Sequence, residues 1–162
     1  MLRSTAPRAI LGGYGQRLML GLSALALVGL VGCGADVQAE CAAIVEMIQA
    51  AESDRTLGSQ TRAITLDNAQ RYQALALDLQ NLDLQDDTLA GYRDDLAVAY
   101  QELSAVQQEY AEWMDADGTI RYRSDETNGE QRFNALQAQL SRAYSAIQTA
   151  SELYANYCVR TR

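Results

Sequence analysis

Apolar residues recur along the chain in alternating steps of three and four, the spacing that lays one stripe along a helix face. The longest run is Leu89, Tyr92, Leu96, Ala99, Leu103, Val106, Tyr110 and Trp113. A second follows the same steps through Phe133, Leu136, Leu140, Ala143, Ile147, Ala150, Tyr154 and Tyr157. A shorter stripe, Val37, Cys41, Ile44, Ile48 and Ala51, predicts a first helix. Another helix is expected from about Ser59 to Leu82, with its stripe confined to Tyr72, Leu75, Leu79 and Leu82. Its early half places Thr61, Thr65 and Asn68 on that face, so the start of this helix is expected to be frayed or wet.

The breaks between stripes are equally regular. Proline is absent after Pro7, and beyond position 32 glycine is confined to positions 34, 58, 91, 118 and 129. Residues Arg55 to Ser59 surround Gly58. The stretch Asp83 to Thr88 offers carboxylates to cap the third helix and to favour its positive end. A polar connection from Asp115 to Gly129 contains Gly118 and an Asn128-Gly129 pair. Ala, Leu, Gln, Glu and Arg, all good helix formers, fill most of what remains. The expected fold over residues 37–158 is all-α, an antiparallel up-down four-helix bundle with coiled-coil-like seams. The small residues Ala99, Ala143 and Ala150 on those seams leave room for facing rings.

The first 32 residues follow a different pattern. Arg3, Arg8 and Arg17 precede an uncharged stretch from Leu18 to Gly32, as in a secretory signal. As a helix it would rise about 22 Å, short of the ~30 Å hydrocarbon core. It ends at Leu30-Val31-Gly32-Cys33, which resembles the lipobox of bacterial lipoproteins. That resemblance implies a signal peptide over 1–32 cleaved before Cys33. It also implies a diacylglycerol group on the Cys33 sulfur, usually an acyl chain such as palmitate on the new amino group, and a lipidated tether over 33–36. Each buried CH₂ adds about 0.8 kcal/mol of membrane affinity. Gly34 after the cysteine resembles the enterobacterial signal for the outer membrane rather than for retention at the inner one.

With Cys33 set aside as the lipid carrier, Cys41 and Cys158 form an even pair in an exported chain, and a disulfide is expected between them. They lie at the start of the first helix and the end of the fourth, which an up-down order makes neighbours. Such a bridge stabilises a fold by up to ~4–5 kcal/mol in the chain-entropy model.

Charge removes whole classes of chemistry. The 162 residues carry net charge −8, but Arg3, Arg8 and Arg17 all precede position 33. The remainder holds 10 basic against 21 acidic residues, net −11. Every basic residue is Arg, with no Lys and no His. This excludes a histidine base, imidazole-held haem or zinc, and Schiff-base or P-loop lysines. An acidic surface also argues against nucleic acid. Ser and Tyr hydroxyls have no His or Lys to activate them, so no catalytic residue and no cofactor is expected. The pairs Asp86-Asp87 and Asp94-Asp95 diverge on a helix and do not converge as metal ligands. Asp115-Ala116-Asp117-Gly118-Thr119-Ile120 resembles the centre of an EF-hand calcium loop. Trp113 and Ser124 then occupy the first and last ligand positions, so a polar turn is expected and no metal site.

The aromatic residues leave two readings open. Tyr92, Tyr110, Trp113, Tyr154 and Tyr157 lie at packing positions, yet tyrosine hydroxyls need partners, and a narrow ligand pocket could use both properties. The carboxy-terminal Arg160-Thr161-Arg162 differs from the terminal lysine by which the murein-linked helical lipoprotein joins peptidoglycan. After its leader the chain resembles small all-helical envelope lipoproteins of unknown function. The expected function is that of a structural or accessory protein, lipid-anchored in the cell envelope outside the cytoplasm. It would act by contact with another envelope protein. The alternative is a binding protein for a small apolar or aromatic ligand inside the bundle.

Overall fold

Hydrophobic spacing becomes helix at all four predicted places. The computed structural model describes residues 33–53, 61–121 and 128–161; the expected leader 1–32, the Gly58 break, Ser59 and Ser124 lie outside the described residues. Four helices follow in order: α1 Cys33–Ser53, α2 Arg62–Asn81, α3 Asp87–Glu112 and α4 Gly129–Arg160. The described residues contain no strand, only an isolated β-bridge between Met114 and Ile120. Helix α1 begins at Cys33, so the stretch 33–36 ahead of its stripe continues the helix.

The α4 stripe is buried at Phe133, Leu136, Ala143, Ala150 and Tyr154, with Leu140, Ile147 and Tyr157 half-buried. Helix α3 buries Leu89, Leu96, Ala99 and Leu103 of its predicted stripe, leaves Tyr92, Val106 and Tyr110 half-buried, and buries a further face made of Ala97, Tyr100, Ser104, Gln107 and Ala111. Two buried faces suit its place in the bundle, because α3 packs closely on both α2 and α4. Small residues allow α2 and α3 to approach closely: Ala69 is fully buried and its carbonyl accepts the Ser104 hydroxyl at 2.7 Å. Nearby, Tyr72 and Tyr100 stack with ring centroids 5.7 Å apart.

The start of α2 differs from the frayed or wet segment expected. Thr61 is its N-cap, its hydroxyl accepting the Ile64 amide at 3.3 Å. Thr65 is buried, donating its hydroxyl to the Thr61 carbonyl at 3.0 Å and lying 3.5 Å from the Met114 sulfur. A local bond of this kind satisfies the hydroxyl of a threonine at a buried helix position. Asn68 Oδ1 and, across on α3, Gln107 Oε1 are buried and accept no hydrogen bond from the described residues. The remaining side of Gln107 donates to the Tyr144 hydroxyl at 3.1 Å.

Two apolar clusters make up the core. The larger draws on all four helices through Cys41, Ile44, Leu79, Leu96, Leu103 and Tyr154, among others. The smaller joins Trp113, Phe133 and Leu136, with Val106, Tyr110 and Ile120 packed against them. Ile120 is placed there by a tight turn after α3. In that turn the Asp115 amide donates to the Thr119 carbonyl (2.9 Å) and the Arg121 amide to the Trp113 carbonyl (3.1 Å). Gly118 supplies the left-handed residue at φ 91°, a conformation that a side chain would oppose.

Candidate functional site

The densest set of long-range polar contacts surrounds the first turns of α1 and the last turns of α4. Cys41 and Cys158 form a disulfide with their Cα atoms 6.0 Å apart. One turn earlier, Gln38 donates its amide to the Cys158 carbonyl at 2.9 Å and to the Thr161 hydroxyl at 3.1 Å. The Tyr154 hydroxyl donates to the Cys41 carbonyl. Burial raises the pKa of Tyr154, which keeps its phenol protonated as this donor.

The α2–α3 junction is tied to the same place by carboxylates. Glu40 accepts the Gln85 amide at 2.7 Å and the Asp86 amide at 3.2 Å. Asp86 caps α3 as its sequence position predicts, accepting the Leu89 amide at 2.7 Å, and it also accepts the Tyr157 hydroxyl at 2.8 Å. The Leu89 amide first, then the Tyr157 hydroxyl, hold the Asp86 carboxyl below its ordinary range. The same bond raises the pKa of Tyr157. These groups join helix ends to one another; none forms a nucleophile paired with a base.

The five candidate aromatic residues are not gathered into one pocket. Tyr92 faces Tyr157 with centroids 5.6 Å apart, beside the disulfide-bearing cluster. Tyr110 and Trp113 each lie against Phe133, at 5.5 and 5.7 Å. On α4, Phe133 and Tyr157 are 24 residues apart, about 36 Å of helix. Tyr154 points its hydroxyl at the backbone of α1. The rings fill space against one another, in the tilted and offset arrangements that aromatic pairs prefer.

Asp115 and Asp117, the calcium-loop residues, are engaged within their own turn. Asp115 pairs with Arg121, and Asp117 accepts the Thr119 amide at 3.0 Å. No group of three or more His, Cys, Asp or Glu that could hold a metal ion occurs among the described residues.

Open grooves run between helices instead. One of about 480 Å³ lies between α1 and α4 and is walled by the disulfide, with Val45, Tyr154 and Val159 beside it. Tyr154 is the one candidate aromatic residue that lines it. A groove of about 440 Å³ lies between α3 and α4 over Val98, Ala99, Ala146, Ala150 and Leu153, and Glu102 joins it to a second of about 340 Å³. Periodicity pointed to Ala99 and Ala150 as seam positions but not to Val98, Ala146 or Leu153. The signal available was an apolar residue off the stripe: Val98 lies two positions beyond Leu96, and Leu153 directly precedes Tyr154.

Comparison with models of known protein families, with curated proteins and with solved structures finds no match.

Proposed function

We propose that this protein is a lipid-anchored structural or accessory component of the cell envelope that acts through protein contacts and carries out no catalysis. In this reading the leader is removed, acyl chains on Cys33 hold the protein to a membrane outside the cytoplasm, and the outer membrane is favoured in a Gram-negative cell. The observation that carries it is the Cys41–Cys158 disulfide. Such bonds persist in oxidising compartments, so the bridge and the lipobox-like Leu30-Val31-Gly32-Cys33 point independently to export. Ring-on-ring packing of the aromatic residues favours surface contact over an interior ligand.

Within this reading the helices run up-down-up-down. Support comes from four pairings along the chain: Cys41 with Cys158, Glu40 with Gln85, Ala69 with Ser104, and Trp113 with Phe133. That order sets the first turn of α1, and with it the anchor, beside the last turn of α4.

The test is carried out in the native envelope. Wild type should take up labelled palmitate and remain with membranes; Cys33→Ala should do neither. Crosslinkers placed on the exposed helix faces should then trap a defined envelope protein. Label retained by Cys33→Ala would defeat the anchor, and crosslinks to no envelope protein from any face would defeat the contact function.

A further inference from the structure

The groove between α3 and α4 has the shape of a seat for one more helix. Its floor is small residues, Ala99, Ala146 and Ala150, with Ala105 and Ala143 continuing it past Glu102. Small side chains on facing helices leave a furrow into which the ridge of another helix can settle. Val98 and Leu153 flank the furrow and are 51% and 47% exposed, so each holds a large apolar side chain half in water. Residues 95 to 106 of α3 line the furrow, about 16 Å or three helical turns.

The rim identifies what would lie there. Asp95 and Glu102 stand along the α3 edge, and among the described residues neither has an ion-pair partner. Arg142 is the one basic residue lining the furrow, and it lies in the stretch beyond Glu102. A second copy of this chain, joined through the same face, would bring acidic rim against acidic rim. An anionic lipid surface would meet the same repulsion.

We propose that this furrow is the docking site for a basic amphipathic helix. Such a partner presents a Leu/Ala stripe to Val98, Leu153 and the alanine floor, and Lys or Arg flanking that stripe to Asp95 and Glu102. The proposal rests on the protein-contact function above and names the surface and the chemistry of the partner. Apolar burial supplies the affinity, and the rim supplies orientation and selectivity against acidic helices.

The probe is a synthetic 20-residue helix with Leu and Ala on one face and Lys on both flanks. It is titrated by fluorescence anisotropy against the full-length protein in uncharged detergent. A control peptide carries Glu in place of every Lys. The Lys peptide should bind saturably and at least about tenfold more tightly than the control, with the preference shrinking in high salt. Asp95→Asn combined with Glu102→Gln should weaken it about tenfold. Val98→Arg should weaken it further, whereas Leu77→Arg, at another exposed apolar residue on α2, should change nothing. Because residues 77 and 98 are both about half exposed, neither substitution disturbs the core. Equal binding of the two peptides, or binding unmoved by Val98→Arg, would overturn the proposal, as would no binding at all. If envelope crosslinks still form from other faces, those failures remove the furrow and leave the broader function standing.

Discussion

The two apolar clusters are held together by different means. Around the disulfide, all four helices contribute, and the cross-links join positions far apart in the chain: 117 residues for the disulfide, 120 for Gln38 with Cys158, and 113 for Tyr154 with Cys41. Around Phe133, neither α1 nor α2 contributes a residue, and the contacts join the end of α3 to the start of α4. The first region depends on closing nearly the whole chain; the second is a local contact between two consecutive helices, made by three rings and Ile120. Local contacts carry less loop-closure entropy and form sooner. The aromatic cluster therefore does not need the bridge to exist, whereas the bridge is one of the ties that hold α1 in place, together with Ile44 and the Gln38 and Glu40 hydrogen bonds.

Breaking the bridge tests this most severely. With Cys41 and Cys158 both changed to Ser, the chain-entropy model gives a loss of up to about 4–5 kcal/mol, enough to lower Tm on the order of 10 °C in a domain of this size. Thermal unfolding followed by circular dichroism measures the loss. Trp113 fluorescence at 25 °C should remain as in wild type, since the indole lies in the other cluster. A Trp113 spectrum that shifts on removal of the bridge would show that the clusters are not separable.

Phe133→Ala is the converse experiment. It removes the ring that both Tyr110 and Trp113 pack against, and such truncations cost about 3–5 kcal/mol. Here Trp113 emission should move towards that of a solvated indole, while non-reducing mass mapping still recovers the Cys41–Cys158 peptide. An unchanged Trp113 spectrum would mean that Phe133 is not what excludes water from the indole.

Asp86 gives the finest comparison, within the disulfide region itself. Its pKa lies below the ordinary 3.8 in the folded protein, so its contribution to stability is complete above that value and is lost as pH falls through the folded value. Asp86→Asn keeps a capping oxygen for Leu89 and should change stability at neutral pH by less than about 1 kcal/mol. The acid limb below pH 4 should become shallower in urea titrations. A variant with an unaltered acid limb would transfer that dependence to other carboxylates.

Leucines and aromatic residues at steps of three and four make α3 and α4 legible in the sequence alone. The second face of α3 was hidden because Ala97, Ser104 and Ala111 carry little hydropathy signal; their contribution is closeness, as in the hydroxyl of Ser104 meeting the carbonyl of Ala69. Thr61 and Thr65 misled for a related reason. Hydropathy counts a hydroxyl as a group that wants water, and here both are satisfied along their own helix. The cysteine pairing was readable because an even pair at the ends of a helical array has one simple closure. The tyrosines were not, since a stripe gives the face of a ring but not what fills the space opposite it. Phe133 fills that space for Tyr110 and Trp113, and the backbone of α1 meets Tyr154. Grooves depend on how far apart two helices stand, which no single stripe encodes.

The bridge has a mechanical consequence as well. Helices α2 and α3 lie wholly inside the loop closed by Cys41 and Cys158, and so does α4 as far as Cys158. Tension entering at the first turn of α1 and leaving at Thr161 therefore passes through one covalent S–S link and a few residues on either side. The intervening helices carry almost none of that load. A pull in this direction would have to break a covalent bond before it could begin to unravel the α2–α3 interface, so a protein tethered at one end and drawn at the other would transmit force with its fold intact.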